Sequence, residues 1–258
     1  MNGSPREAGQ GVRLLAWNIL HGGGTRRTPG IVLSILEHQP DVIVLSEFRM
    51  MMGGQMAGVL ADHGWKHRHA TPLEDGRNGM VILSRVPLEP GPCPLPEHRR
   101  GLCAELEGGL IVTAVHIPDA RAGDHHAVGR KAASWAGLLE HAGCRREEKH
   151  VIIGDFNTGR HRLDEAESTF TATALLGRLA TMGYVDAYRA AEPSGRAWSW
   201  QSHAGRRFRL DHAFVSGGLA GCVGRVEYSH RERRERLSDH AALIVELDFE
   251  RKNEGNRG

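Results

Sequence analysis

The chain has 258 residues, 40% hydrophobic and 25% charged, with 33 basic side chains against 31 acidic and a net charge of +2. That is an ordinary globular composition, long enough to bury a large core. The balance excludes a global basic field, so a nucleic acid could be held only by a local patch. No apolar run approaches membrane-spanning length, which argues against a membrane partner.

Read in chain order, a strand is expected at 12–17, apolar at alternate positions and ending at Asn18. A Gly22-Gly23-Gly24 loop leads to a helix at 29–38, with Ile31, Ile35 and Leu36 on one face. Pro40-Asp41 breaks it, and a buried strand at 42–45 ends at Glu47. A helix at 55–63 and a strand at 80–83 follow, then a Pro-rich connection at 87–96. The segments 102–106 and 110–115 form a hairpin around Gly108-Gly109, ending at His116. After a helix at 128–141, Val151-Ile152-Ile153 reads as a short buried strand that opens through Gly154 into Asp155-Phe156-Asn157. Alternation along that strand points Asp155 and Asn157 the same way. A helix at 172–182 and strands at 208–215, 224–228 and 241–249 complete the chain. No repeat or linker divides it, so 12–249 is expected to form a single α/β layered domain, with flexible tails at 1–11 and 250–258.

Asn18, Glu47, His116, Asp155 with Asn157, Asp211 with His212, and Asp239 with His240 all flank apolar strands. One polar residue after a strand is most often a turn former. Nearly every strand ending in an amide, acid or imidazole points instead to a site held by a rigid sheet. Oxygen donors without cysteine suit a hard cation, Mg²⁺ or Mn²⁺. Histidine, carboxylate and a hard cation together suit phosphate-ester chemistry. His125-His126 reads as exposed or capping, and His212 as packing. Arg206 and Arg207, just before the 208–215 strand, are candidates to meet a backbone phosphate. Trp198 and Trp200 read first as core, with Trp198 the candidate base-stacking surface. Cys93, Cys103, Cys144 and Cys222 lie far apart, without metal-type pairing. A reduced, cytoplasmic chain is expected, and the first 11 residues show no apolar stretch of the secretory-signal kind.

These residues resemble the endonuclease/exonuclease/phosphatase superfamily, in order, over most of the chain. The resemblance rests on Trp17-Asn18, on Pro40-Asp41-Val42-Ile43-Val44-Leu45-Ser46-Glu47, and on Gly154-Asp155-Phe156-Asn157. Arg209-Leu210-Asp211-His212 and Ser238-Asp239-His240 complete it. Asp186-Ala187-Tyr188-Arg189 and Trp198-Ser199-Trp200 resemble the exonuclease III/abasic-site endonuclease branch, whereas His116 stands where that branch carries tyrosine and is more like deoxyribonuclease I. The resemblance implies two packed, mainly antiparallel sheets flanked by helices, a four-layer α/β sandwich. It implies that Glu47, Asn18 and Asp239 hold the cation and that Asp155 and Asn157 handle the attacking water. It implies that His240, oriented by Asp211, and His116 meet the phosphate. The implied activity is a Mg²⁺- or Mn²⁺-dependent nuclease acting on DNA, as a monomer without an obligate protein partner. The alternative is a phosphodiesterase or phosphatase of a small-molecule or lipid phosphoester, and a catalytically dead binding module is disfavoured because every expected polar position is filled.

Overall fold

The computed structural model describes residues 11–251 except 73, 75, 122 and 203. Of the expected tails at 1–11 and 250–258, residues 1–10 and 252–258 lie outside the described residues, while Gly11 already stands in β1, opposite Asp248. The chain begins with β1 (Gly11–Asn18), α1 (Gly24–His38), β2 (Val42–Phe48), α2 (Met50–Asp62), β3 (His67–Ala70) and β4 (Gly79–Ser84). Next come β5 (Leu88–Pro90), β6 (Gly101–Leu106), β7 (Leu110–His116), α3 (His125–Arg145) and β8 (His150–Asp155). The last stretch holds α4 (Thr173–Thr181), β9 (Val185–Asp186), α5 (Ala187–Ala191), β10 (Trp200–Gln201), β11 (Arg207–Phe208), β12 (Asp211–Val215), β13 (Val223–Ser229), α6 (Arg231–Arg234) and β14 (Ala242–Asp248).

The long strands form two six-stranded sheets, in the orders β13-β14-β1-β2-β4-β3 and β5-β6-β7-β8-β12-β9. Pairing is antiparallel except for β1 with β2 and β7 with β8. Alternation along the strands fixes the layers. Leu14, Ala16, Val42 and Val44 of one sheet meet Val112, Ala114, Val151 and Ile153 of the other in a central core. The opposite faces are also apolar. Leu15, Trp17, Ile43 and Leu45 pack under α1 and α2, through Ile31, Ile35, Met56 and Leu60. Val115, Ile152 and Phe214 pack under α3 and α4, through Trp135, Leu138 and Leu176. The strands are apolar on both sides because both faces are covered. The result is the expected four-layer sandwich.

Several boundaries differ from the sequence expectation. α1 starts at Gly24, five residues before Pro29, and α3 starts at His125 behind an Asp124 cap that accepts from Ala127 N (2.9 Å). His125 and His126 are exposed in that first turn. β3 and β5 are short, polar edge strands without the apolar alternation that marks an interior strand. The expected strand at 208–215 is broken. Phe208 pairs with Trp200 in a separate ribbon, and β12 begins only at Asp211. The reason is Arg209, whose fully buried guanidinium leaves the strand line to bridge Asp164 (Nε, 2.7 Å) and Asp186 (Nη2, 2.6 Å).

The sheet directions gather the polar strand ends. β1 and β2 run parallel, as do β7 and β8, so Asn18, Glu47, His116 and Asp155 terminate at C-terminal strand ends. β12 runs antiparallel to β8 and starts with Asp211 opposite Asp155. β14 runs antiparallel to β1 and starts just after Asp239 and His240. Gly154 makes the closest approach possible. Its φ is +141°, and a Cβ there would stand 2.1 Å from the Val115 carbonyl oxygen. Gly154→Ala is therefore expected to destabilise the protein by more than about 1 kcal/mol. A urea midpoint equal to wild type would contradict that.

Candidate active site

The gathered strand ends floor an open cleft of about 900 Å³. Its walls include Asn18, Glu47, His116, Asp155, Asn157, Asp239 and His240. Asp155 is central. Its Oδ2 lies 3.8 Å from Nε2 of His116 and 3.8 Å from Nε2 of His240. Oδ1 accepts from the Asn157 backbone N–H (2.9 Å), a contact made possible by the left-handed backbone of Asn157 (φ 45°). The Asn157 amide donates to the Ile117 carbonyl (2.9 Å), and the buried Lys131 ammonium donates to the Asn157 carbonyl (2.6 Å).

His240 is oriented by Asp211, whose Oδ2 lies 2.8 Å from Nδ1. Asp211 is itself fixed. Ser199 Oγ accepts from the Leu210 and Asp211 backbone N–H groups (2.9 and 3.0 Å), and Tyr228 OH donates to the Asp211 carbonyl (2.7 Å). Ser238 Oγ accepts from the His240 N–H (3.1 Å) and donates to the Asn18 carbonyl (2.6 Å), joining the lead-in to β14 to the end of β1. Burial disfavours the His240 cation, but Asp211 and Asp155 outweigh it and raise the imidazole pKa to about 10. Burial, and then the Arg100 charge, push His116 the other way, to about 4. Burial, and then Asp211, raise the Asp155 carboxyl above the usual carboxylate range. One charged and one neutral imidazole thus flank a carboxyl with a raised proton affinity.

Glu47 reaches the site through a bulge in β2 between Ser46 and Phe48, with φ +57° at Glu47 itself. Its Oε2 accepts from the His21 backbone N–H (2.8 Å). Burial opposes its charge, but His116 and His21 hold its pKa below the usual range. Asn18 was expected beside the cation. Its Oδ1 accepts from Leu20 N–H (3.0 Å), while Nδ2 faces Glu47 Oε1 and Asp155 Oδ2 (3.2 Å each). Asn18 therefore acts as a bridge between the two carboxylates, with its N–H side toward them.

Asp155, Asp211 and His240 bring donor atoms within 4.8 Å of one another. That trio is an ion pair and its neighbour, with His240 supplying the positive charge, and it has no need of a metal. The oxygen donors Glu47 and Asp239, which both line the cleft, suit a hard divalent cation better. Asp239 Oδ2 accepts from Trp200 Nε1 (2.8 Å), which holds the carboxylate in place.

The expected substrate-binding residues divide. Arg206 lines the cleft. Arg207 and Trp198 stand outside it, stacked on each other with the guanidinium 4.2 Å from the ring centroid. Trp200 is the tryptophan in the wall, together with Phe170, Phe208 and Leu210. His212 is fully buried and bonded to the Thr158 carbonyl (2.7 Å), a packing role. Sequence reasoning placed Ser199 and Ser238 in motifs without giving them a role, and missed Tyr228 and the anchoring role of Lys131. Serine and tyrosine beside strands carry no periodic signal.

The profile of the Endonuclease/Exonuclease/phosphatase family matches residues 15–240. The chain belongs to that family. Among curated proteins none matches it. Solved structures share its fold. A 3′-5′ exonuclease, NExo, from Neisseria meningitidis is 24% identical, with a TM-score of 0.79 over 92% of this chain and 100% of that one. The same values hold for a Neisseria 3′ phosphatase NExo bound to a product DNA hairpin. An AP endonuclease from Archaeoglobus fulgidus is 18% identical, with a TM-score of 0.79 over the same shares. Among the described residues of this family member, no helix is long and apolar enough to cross a membrane.

Proposed function

We propose that the protein is a Mg²⁺- or Mn²⁺-dependent phosphodiester hydrolase that acts on DNA, in the manner of the exonuclease III/abasic-site endonuclease branch. The observation that carries this reading is Asp155 Oδ2, set 3.8 Å from two imidazole nitrogens at the floor of an open cleft. A phosphoryl group lying over these nitrogens would receive hydrogen bonds from His116 and His240. Asp155 takes a proton from a water as the water oxygen bonds to phosphorus. The P–O bond opposite it breaks in line, and the leaving oxygen takes a proton from His240 or solvent. Asp211 keeps the His240 ring aimed and charged. Glu47 and Asp239 would hold the cation, which neutralises charge on the phosphate and leaving oxygen when bound.

The 3′ phosphatase of the same fold, bound to a product DNA hairpin, supports a nucleic-acid substrate. So do Arg100, Arg121 and Arg206 on the cleft walls. His116 in place of the branch tyrosine favours the second reading, a small-molecule or lipid phosphoester. The four cysteines are free, which supports a reducing cytoplasmic setting. The large exposed apolar side chains among the described residues are Leu33, Val59 and Val128, each on a different helix, which supports a monomer.

The test is a substrate panel: duplex DNA, single-stranded DNA, abasic duplex, RNA and a chromogenic phosphodiester. DNA cleavage is expected with Mg²⁺ or Mn²⁺, lost in EDTA and restored by either ion. Cleavage of the chromogenic ester alone would overturn the DNA reading. EDTA-resistant turnover would overturn the metal.

A further inference from the structure

A basic rim adjoins the cleft at the β10–β11 ribbon that carries Trp200. The segment Arg231-Glu232-Arg233-Arg234-Glu235 is balanced in sequence but not in space. Glu232 is buried, accepting from Ser34 Oγ and facing His38 Nε2 (2.7 Å each). Glu235 is taken by Arg231 (2.7 Å), which also pairs with Glu37. The acids are therefore spent inward or on Arg231, and Arg233 and Arg234 are left over.

Arg233 converges with Arg207, and Arg234 follows it in α6, with its backbone N–H on the His230 carbonyl (3.1 Å). Arg233 Nη2 donates to Gln201 Oε1 (2.6 Å), and Gln201 pairs with Arg207 across the β10–β11 ribbon. The Arg207 guanidinium and the His230 ring both stack on Trp198, at 4.2 and 4.7 Å between centres. His230 feels all three arginines, which, after burial, lower its pKa. Among the described residues, none of the three has a carboxylate within the 4.0 Å of an ion pair. Three like charges on a planar aromatic shelf, with Asp239 of the cleft acting on Arg233 from beyond ion-pair distance, form a surface that gains from a polyanion. The cross-strand pair Trp200 and Phe208 lines the cleft, and alternation turns the next pair, Gln201 and Arg207, to the other face, so the rim adjoins the cleft across the β10–β11 ribbon, with Arg206 on the cleft side.

We propose that Arg207, Arg233 and Arg234 around Trp198 bind the phosphodiester backbone of a nucleic-acid strand outside the cleft, so that affinity grows with strand length. The inference rests on the reading of a nucleic-acid substrate, and it adds a second contact region to it. Three guanidinium groups can displace counterions from about three phosphates, each contributing about 0.7 to the salt slope on a single strand. A strand confined to the cleft gains nothing from the rim. A longer one does.

The test is fluorescence anisotropy of the full chain in EDTA, which separates binding from turnover. Labelled single strands of DNA and RNA, short and long, are titrated at several salt concentrations. The long strands are expected to bind more tightly than the short ones. In Arg207→Gln/Arg233→Gln/Arg234→Gln, the slope of log K against log salt should fall by about 2 for long strands. The corresponding three lysine replacements should restore it. If the triple glutamine variant fails to melt cooperatively, Arg234→Gln alone, at an exposed position, should lower the slope by about 0.7. An unchanged slope in a folded variant overturns the rim. So does equal binding of short and long strands, or equally tight, arginine-dependent capture of a glutamate-rich peptide. Loss of slope without cleavage of any nucleic acid would leave the rim standing and the nuclease reading fallen. Cleavage with an unchanged slope would do the reverse.

Discussion

His240→Ala is expected to lower kcat by about 10²–10⁴-fold, the range of a positioned acid–base group. His240 has three ties in the fold, one through its ring and two through its backbone. Asp211 fixes Nδ1, Ser238 Oγ fixes its backbone, and its carbonyl accepts from Trp17 Nε1 (3.1 Å). Its free nitrogen, Nε2, is the one that faces Asp155 and the cleft. Removing the ring takes positive charge from the place where negative charge develops, while Trp17 and Ser238 still anchor the backbone. Asp155→Ala should lose a similar factor. Single-turnover kinetics and thermal melting check both. Near-wild-type turnover in either folded variant would remove that residue from the chemistry.

Arg209→Met is expected to cost about 3–5 kcal/mol of stability, the penalty for leaving buried carboxylates without their cation. Arg209 has no exposed surface and satisfies Asp164 and Asp186 together, while Arg189 supports Asp164 (2.5 Å). The cluster ties the cleft-wall loop that carries Asp164 and Phe170 to the start of β12. Loss of Arg209 should therefore loosen Asp211 and slow turnover as well. The acid limb gives a second readout. Despite burial, Arg209 holds Asp164 and Asp186 below the usual carboxylate range. Their contribution is complete above about pH 4, the unfolded value, and is lost as pH falls through the depressed native values. In Arg209→Met, burial without the cation raises those pKa values. The slope of stability against pH should then flatten or reverse near pH 4–6, since a raised carboxyl favours the protonated native state. Urea titrations at several pH values would show it. An unchanged urea midpoint would mean that the cluster is ornamental.

Much of the fold was legible because the interior strands are apolar on both faces and are flanked by polar residues. Val42 to Leu45 and Val151 to Ile153 announce buried strands without any contact information. Polar edge strands such as His67–Ala70 did not announce themselves, since nothing in them alternates. The break between Phe208 and Asp211 was also hidden. Apolar periodicity runs through it, and only the distant Asp164 and Asp186 pull Arg209 out of line.

The sequence by itself determined which residue types could meet. Carboxylates, amides and imidazoles stand at strand ends because each apolar run terminates beside one, and that pattern is local. Only the tertiary structure decided what each does. Parallel pairing of β1 with β2 and of β7 with β8 brings Glu47 and Asp155 to one edge. Antiparallel return of β12 and β14 then supplies Asp211 and His240. Asn18 became a carboxylate bridge, and Trp200 took the cleft position while Trp198 went to the rim. Those outcomes depend on side-chain direction across contacts between residues far apart in the chain, for example 137 apart for Asn18 and Asp155, and short-range sequence patterns carry no record of it.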